Sequence, residues 1–181
     1  MMDELARPLA VVAHDAGAAN HIFAWLGDEH PTLCLAGPAR ALWNVRLSKI
    51  ESDSVQSHLP ERCLADALAG SATVVTGTGW ESTLEHDARK LARDQGSRTI
   101  AVIDHWTDYS GRFIRSGEQV LPDEIWVSDP YAAEIAKTSF PDVRVIQQPN
   151  AYLAGLVSEV ESIQQHEAAQ GNDCVLYVLE P

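Results

Sequence analysis

The run Ala72-Thr-Val-Val-Thr76, the turn Gly77-Thr78-Gly79 and the stretch from Glu81 to Gln95 together decide the fold. A short apolar run rich in β-branched residues reads as a buried strand. The glycines end it. Leu84, Ala88, Leu91 and Ala92 then recur at helical spacing until Gly96 stops the helix, and Thr99 to Ile103 is the next strand. Strand, helix and strand in this order predict a βαβ unit, the building block of a parallel sheet.

The same alternation extends in both directions. Leu9 to Ala13 reads as a first strand, followed by the loop His14-Asp15-Ala16-Gly17-Ala18 and a helix with Ile22 and Leu26 on one face. Thr32 to Ala36 is a second strand, closed by Gly37-Pro38. Ala41 to Ile50 is compatible with a helix, and polar Glu51 to His58 with a loop. A further helix is expected from Pro60, striped by Leu64, Ala67 and Leu68 and capped by Gly70. Downstream, Glu124 to Ser128 and Val143 to Gln147 read as strands around a helix that Asp129-Pro130 opens and that runs to about Ser139. The expected fold class is α/β, a Rossmann-like parallel sheet with helices on both faces in three layers. Residues 1–150 form that domain, and residues 151–181 add a helix, a polar linker and a terminal strand at Cys174 to Leu179.

Composition narrows the function. A chain of 181 residues, 45% hydrophobic and 22% charged, is sized for one soluble domain. Its 13 Lys plus Arg against 26 Asp plus Glu give a net charge of −13, which repels nucleic acid and anionic membranes. Cys34, Cys63 and Cys174 stand far apart without metal-ligand spacing, so neither a disulfide framework nor a metal site is expected. No apolar run approaches a membrane span, and the cytoplasm is the expected compartment.

In open parallel sheets ligands bind beyond the carboxyl ends of the strands. Three loops fall there: 14–21, 76–82 and 104–115. The candidates for proton transfer are His105, His21 and Asp104, since a carboxylate beside an imidazole raises its basicity. The candidates for ligand contact are Asp15, Gly17, Asn20, Gly77, Thr78, Gly79, Trp80, Glu81, Trp106, Tyr109 and Arg112. Trp80 and Trp106 offer faces for a sugar ring or a base, and Arg112 with Arg115 offers paired donors for a phosphate or carboxylate. Plainer readings stand beside these: Asp15 as a helix cap, Thr78 with Glu81 as a capping box, Trp80 as packing over the next loop.

With these residues in view, the chain resembles the N-terminal Rossmann-like half of GT-B type glycosyltransferases and the related UDP-N-acetylglucosamine 2-epimerases. The resemblance lies in the first strand with its Gly17 loop ending at His21, in Glu124-Ile-Trp-Val-Ser-Asp129 before a helix, in Val143 to Gln147 before Pro149-Asn150, and in Val175 to Leu179 as the opening of a second domain. It implies a sugar or sugar-nucleotide ligand, a role in polysaccharide or glycoconjugate synthesis, and either a separate partner half carrying the donor site or a shortened relative that binds a sugar or nucleotide by itself; no cofactor is expected. It also makes His21 the acceptor-side base and Gly17 a point of close approach. A rival reading takes Gly77-Thr-Gly79 with Asp104 as a dinucleotide fingerprint of NAD type, although Ser82 stands where a third glycine belongs. A third is a non-catalytic binding or assembly module, with a homodimer formed through the terminal strand.

Overall fold

The computed structural model describes residues 5–27, 29–50 and 63–162. In chain order it contains β1 (Leu9–Ala13), α1 (Ala16–Leu26), β2 (Thr32–Leu35), α2 (Gly37–Ile50), α3 (Leu64–Leu68), β3 (Thr73–Thr76), α4 (Leu84–Asp94) and β4 (Arg98–Val102). After a 3-10 turn at Gly111–Phe113 come β5 (Ile114–Arg115), β6 (Glu118–Gln119), β7 (Glu124–Val127), α5 (Pro130–Ser139), β8 (Arg144–Gln147) and α6 (Ala151–Ser162).

Six strands form one parallel sheet in the order β2-β1-β3-β4-β7-β8, while β5 and β6 make a small antiparallel hairpin. The residues alternate across the sheet as the pleat requires. Leu9, Val11, Ala13, Val75, Ile100, Val102 and Trp126 pack with α1 on one face. Ala10, Val12 and Val74 pack with α3 and α4 on the other, joined there by Ala101, Ile103, Ile125 and Val127 under α5. This is a Rossmann-like three-layer αβα fold. Among the described residues, no helix is long and apolar enough to cross a membrane.

Most expected elements appear within a residue or two of their predicted ends. α5 starts where Asp129 was read as its opening: the Asp129 carboxylate accepts from the Ala132 amide at 2.9 Å, and Pro130 occupies the first turn. Three expectations need correction. The helix after the glycine turn begins at Leu84, not Glu81: the Thr78 hydroxyl turns to the Val102 carbonyl, donating to it at 3.0 Å, and the Leu84 amide donates to the Ser82 hydroxyl at 3.1 Å. Gly37-Pro38 does not merely close β2 but opens α2, with Gly37 at φ 50°. The polar excursion 104–118 holds the 3-10 turn and hairpin, which no periodicity announces. The expected start of a helix at Pro60 and the terminal strand at 174–179 lie outside the described residues.

The chain steps from β1 outward to β2, returns past β1 to β3 and continues the other way to β8. The order reverses between β1 and β3. The loops that follow these two strands therefore part, and leave a crevice at the carboxyl edge of the sheet. The opposite edge is closed by charge pairing: Glu124 accepts from Arg98, from Arg144 at 3.0 Å and from the Trp126 indole at 3.1 Å.

Candidate functional site

A cleft of about 300 Å³ occupies the crevice. Asp15 and Gly17 line it from the loop after β1, Pro38 from the start of α2, Gly79, Trp80 and Glu81 from the loop after β3, and Asp104, His105 and Arg112 from the loop after β4. The turns at Gly77 and Asp104 thus open on one rim.

Two glycines bring the acids in. A Cβ at Gly17 would coincide with the Asp104 carboxylate, and one at Gly79 would collide with that of Asp15. Gly17 was expected to admit a ligand, and it also makes room for a side chain. Asp15 caps α1 by accepting from the Ala18 amide at 3.1 Å, so its structural and cleft-lining roles coexist. Burial, and then the nearby Asp104, hold the Asp15 carboxyl above the usual carboxylate range. Asp104 Oδ1 is buried without a hydrogen-bond partner. Gly17→Ala should displace Asp104 and cost about 1–3 kcal/mol of stability in urea unfolding. Gly155→Ala on α6, where a Cβ meets open space, is the control and should cost nothing.

The turn between β3 and α4 is held from behind by three guanidiniums. Arg89 donates to the Gly77 carbonyl at 3.0 Å, Arg112 to the Thr78 carbonyl at 3.3 Å, and Arg115 to the Gly79 carbonyl at 2.6 Å. Arg89 is buried, also donates to the Thr76 hydroxyl at 3.1 Å, and has its guanidinium carbon 5.1 Å from the centre of the Phe113 ring. Glu85 fastens the two loops to each other, accepting from the His14 amide at 2.9 Å and from the Gly79 amide at 2.6 Å. Burial, followed by the charge of Asp15, pushes its carboxyl up to about 7.

Arg112 belongs to both the scaffold and the cleft. Its Nε donates to the Thr107 carbonyl at 3.1 Å, its Nη2 is buried without a partner, and its guanidinium carbon lies 5.2 Å from the centre of the Trp80 ring. Trp80 itself is 60% exposed, as a residue serving only to pack the core would not be.

Of the residues singled out from sequence, Asp15, Gly17, Gly79, Trp80, Glu81, Asp104, His105 and Arg112 line the cleft. Gly77 and Thr78 are buried and shape its wall from behind. Trp106 is exposed and donates to the Asp129 carboxylate at 3.1 Å, so it braces the next loop. Tyr109 lies in the core under α5 with its hydroxyl donating to the Ala132 carbonyl at 3.3 Å, and Asn20 faces a different groove, between α1, α2 and α6. His21 packs against Trp25 and Tyr152, where burial lowers its pKa; it does not line the cleft. Of the three residues singled out for proton transfer, Asp104 and His105 line the cleft.

Sequence reasoning missed Glu85 and Arg89, while Arg115, expected beside Arg112 to hold an anion, donates to the Gly79 carbonyl and does not line the cleft. Glu85 and Arg89 are one helical turn apart and read as an exposed ion pair. The available signal was their position beside Ala88 and Ala92, small residues that let α4 press on the sheet. Among the described residues no cluster of His, Cys, Asp and Glu is arranged to hold a metal ion. No family model, curated protein or solved structure matches the chain, so its functional reading is built from this geometry.

Proposed function

We propose that the cleft binds a sugar or sugar nucleotide, in a domain of glycosyltransferase type serving polysaccharide or glycoconjugate synthesis. The observation that carries this reading is the half-exposed Trp80 ring beside Arg112, facing a cleft that Asp15 and Asp104 also line. Indole faces suit the C–H surface of a pyranose, and carboxylates accept the protons of its hydroxyls. Asp104 Oδ1 offers such an acceptor with no protein donor committed to it. Asp104 and His105 are the groups placed to accept or return a proton from a bound hydroxyl.

An NAD-type ligand is less well served. A dinucleotide pyrophosphate needs free amides at the glycine turn. Here the Gly79 amide is taken by Glu85 and the Gly77 amide by the Val12 carbonyl at 3.2 Å, while Glu81 adds negative charge to the cleft.

Thermal unfolding of the full chain with a panel of monosaccharides, UDP-, GDP- and CMP-sugars and NAD(H) tests the reading. At least one sugar or sugar nucleotide should raise the transition temperature in a dose-dependent way. Trp80→Ala should weaken that ligand roughly tenfold or more, the loss typical of a stacked aromatic anchor. Stabilisation by NAD(H) alone, or by nothing in the panel, would overturn the assignment.

A further inference from the structure

We infer that the sugar taken by this cleft carries one acidic group and no pyrophosphate, its acid seated on Arg112 beside the Trp80 ring. The inference rests on the sugar-binding reading above and names the ligand class within it.

Arg112 is 3% exposed, and two of its three nitrogens are fixed by the carbonyls of Thr107 and Thr78. Its third nitrogen, Nη2, has no partner in the protein. A guanidinium held at two points presents its remaining N–H groups in a set direction, so little freedom is lost when an acceptor arrives. A charged donor bound to an anionic oxygen makes a bond roughly twice as strong as a neutral pair. Because the guanidinium already lies over the indole, a ring resting on exposed Trp80 brings its substituent within reach of the fork.

Charge limits that substituent to a single acid. Arg89 and Arg115 hold main-chain carbonyls behind the turn and do not line the cleft, leaving Arg112 as the one arginine or lysine among the described cleft-lining residues. Asp15, Glu81 and Asp104 line the same space. A pyrophosphate would set its charges against these carboxylates with one guanidinium in compensation, and the amides of Gly77 and Gly79 are already bonded. Size agrees: about 300 Å³ is at the small end of the roughly 300–1,000 Å³ usual for ligand clefts, and suits one ring with a compact substituent. The hydroxyls of that ring supply the donor that Asp104 Oδ1 lacks.

Isothermal titration of the full chain at pH 5, where a phosphate monoester with its second pKa of about 6 carries about one charge, tests this with matched probes: glucuronate against glucose, galacturonate against galactose, glucose 1-phosphate against UDP-glucose, and inorganic phosphate alone. The uronates cover a carboxylate source of the acid and the sugar phosphate a phosphate source. At least one acidic monosaccharide should bind roughly tenfold or more tightly than its neutral partner and than UDP-glucose. Arg112→Met should abolish that preference, with Arg112→Lys restoring part of it. If Arg112→Met does not fold, the matched pairs on the unaltered chain decide alone. Equal binding of neutral and acidic partners, or tighter binding of UDP-glucose, overturns the inference and leaves the sugar-binding reading standing. Phosphate binding as tightly as glucose 1-phosphate overturns it also, as does an acid preference that survives Arg112→Met. Silence from every probe and from the sugar panel removes both.

Discussion

Replacing Arg89 with methionine should destabilise the protein by about 3–5 kcal/mol, the usual cost of removing one member of a buried charged network. The methionine fills most of the space yet leaves the Gly77 carbonyl and the Thr76 hydroxyl without their donor in a region closed to water. It also removes the cation from the Phe113 ring and the positive charge nearest Glu85. Burial lowers the Arg89 pKa to about 10, so the group is charged throughout the neutral range, and the loss should grow as the pH rises past about 7, where Glu85 gives up its proton and would be left without that cation. Arg89→Lys keeps the charge but cannot fork between two acceptors, and should recover less than half the loss. Urea unfolding followed by circular dichroism measures both variants. A cost below about 1 kcal/mol for the methionine variant would mean that the turn carbonyls find other donors.

The second large effect is a dependence of stability on pH. Glu85 holds its proton in the folded chain up to about pH 7, against an ordinary value of 4.5. The folded state thus binds a proton that the unfolded state has released between those two values. This contribution to stability is complete below about pH 4.5, declines as the pH rises toward 7, and is lost above it. For a shift of this size the decline is about 3 kcal/mol. The raised Asp15 carboxyl acts in the same direction. Glu85→Gln should flatten most of the slope. It should also be less stable at pH 5 than the unaltered chain, since an amide oxygen accepts from only one of the His14 and Gly79 amides and the amide nitrogen faces the other. Urea unfolding free energies at pH 5 and pH 8 for both proteins supply the comparison; an unchanged slope in the glutamine variant would assign the effect to other groups.

Much of the architecture was legible because local signals and the global fold agree. Leu9 to Ala13 is apolar at every position, as a central parallel strand buried on both faces must be, and its boundaries were read without error. Asp129-Pro130 is a helix start in both chemistry and position. The misreadings occur where a long-range partner overrules a local one. Thr78 and Glu81 have the spacing of a capping box, but the Thr78 hydroxyl donates to the neighbouring strand and Glu85, in the first turn of α4, accepts from the Gly79 amide. Trp80, Asp104 and Arg112 were recognisable because core packing does not call for such residues in loops after strands. Tyr109 came from the same loops, and no periodicity reveals which way an irregular segment turns its side chains; Asn20 lies within α1, whose turns carry it round to the groove beside α2 and α6. The charged residues that build the cleft wall lie on a helix whose pattern reads as an ordinary amphipathic face.

The three guanidiniums behind the glycine turn come from α4 and from the excursion that follows β4, so the rim of the cleft has a place in time as well as in space. A nascent chain that has emerged only as far as β4 possesses β1, β3 and the turn, but neither Arg112 nor Arg115 to gather its carbonyls. The rim of the cleft is consequently completed only once the chain has emerged past Arg115. Its amides should gain protection from solvent exchange only after the distant segment docks, in step with the slow, non-local contacts of the fold.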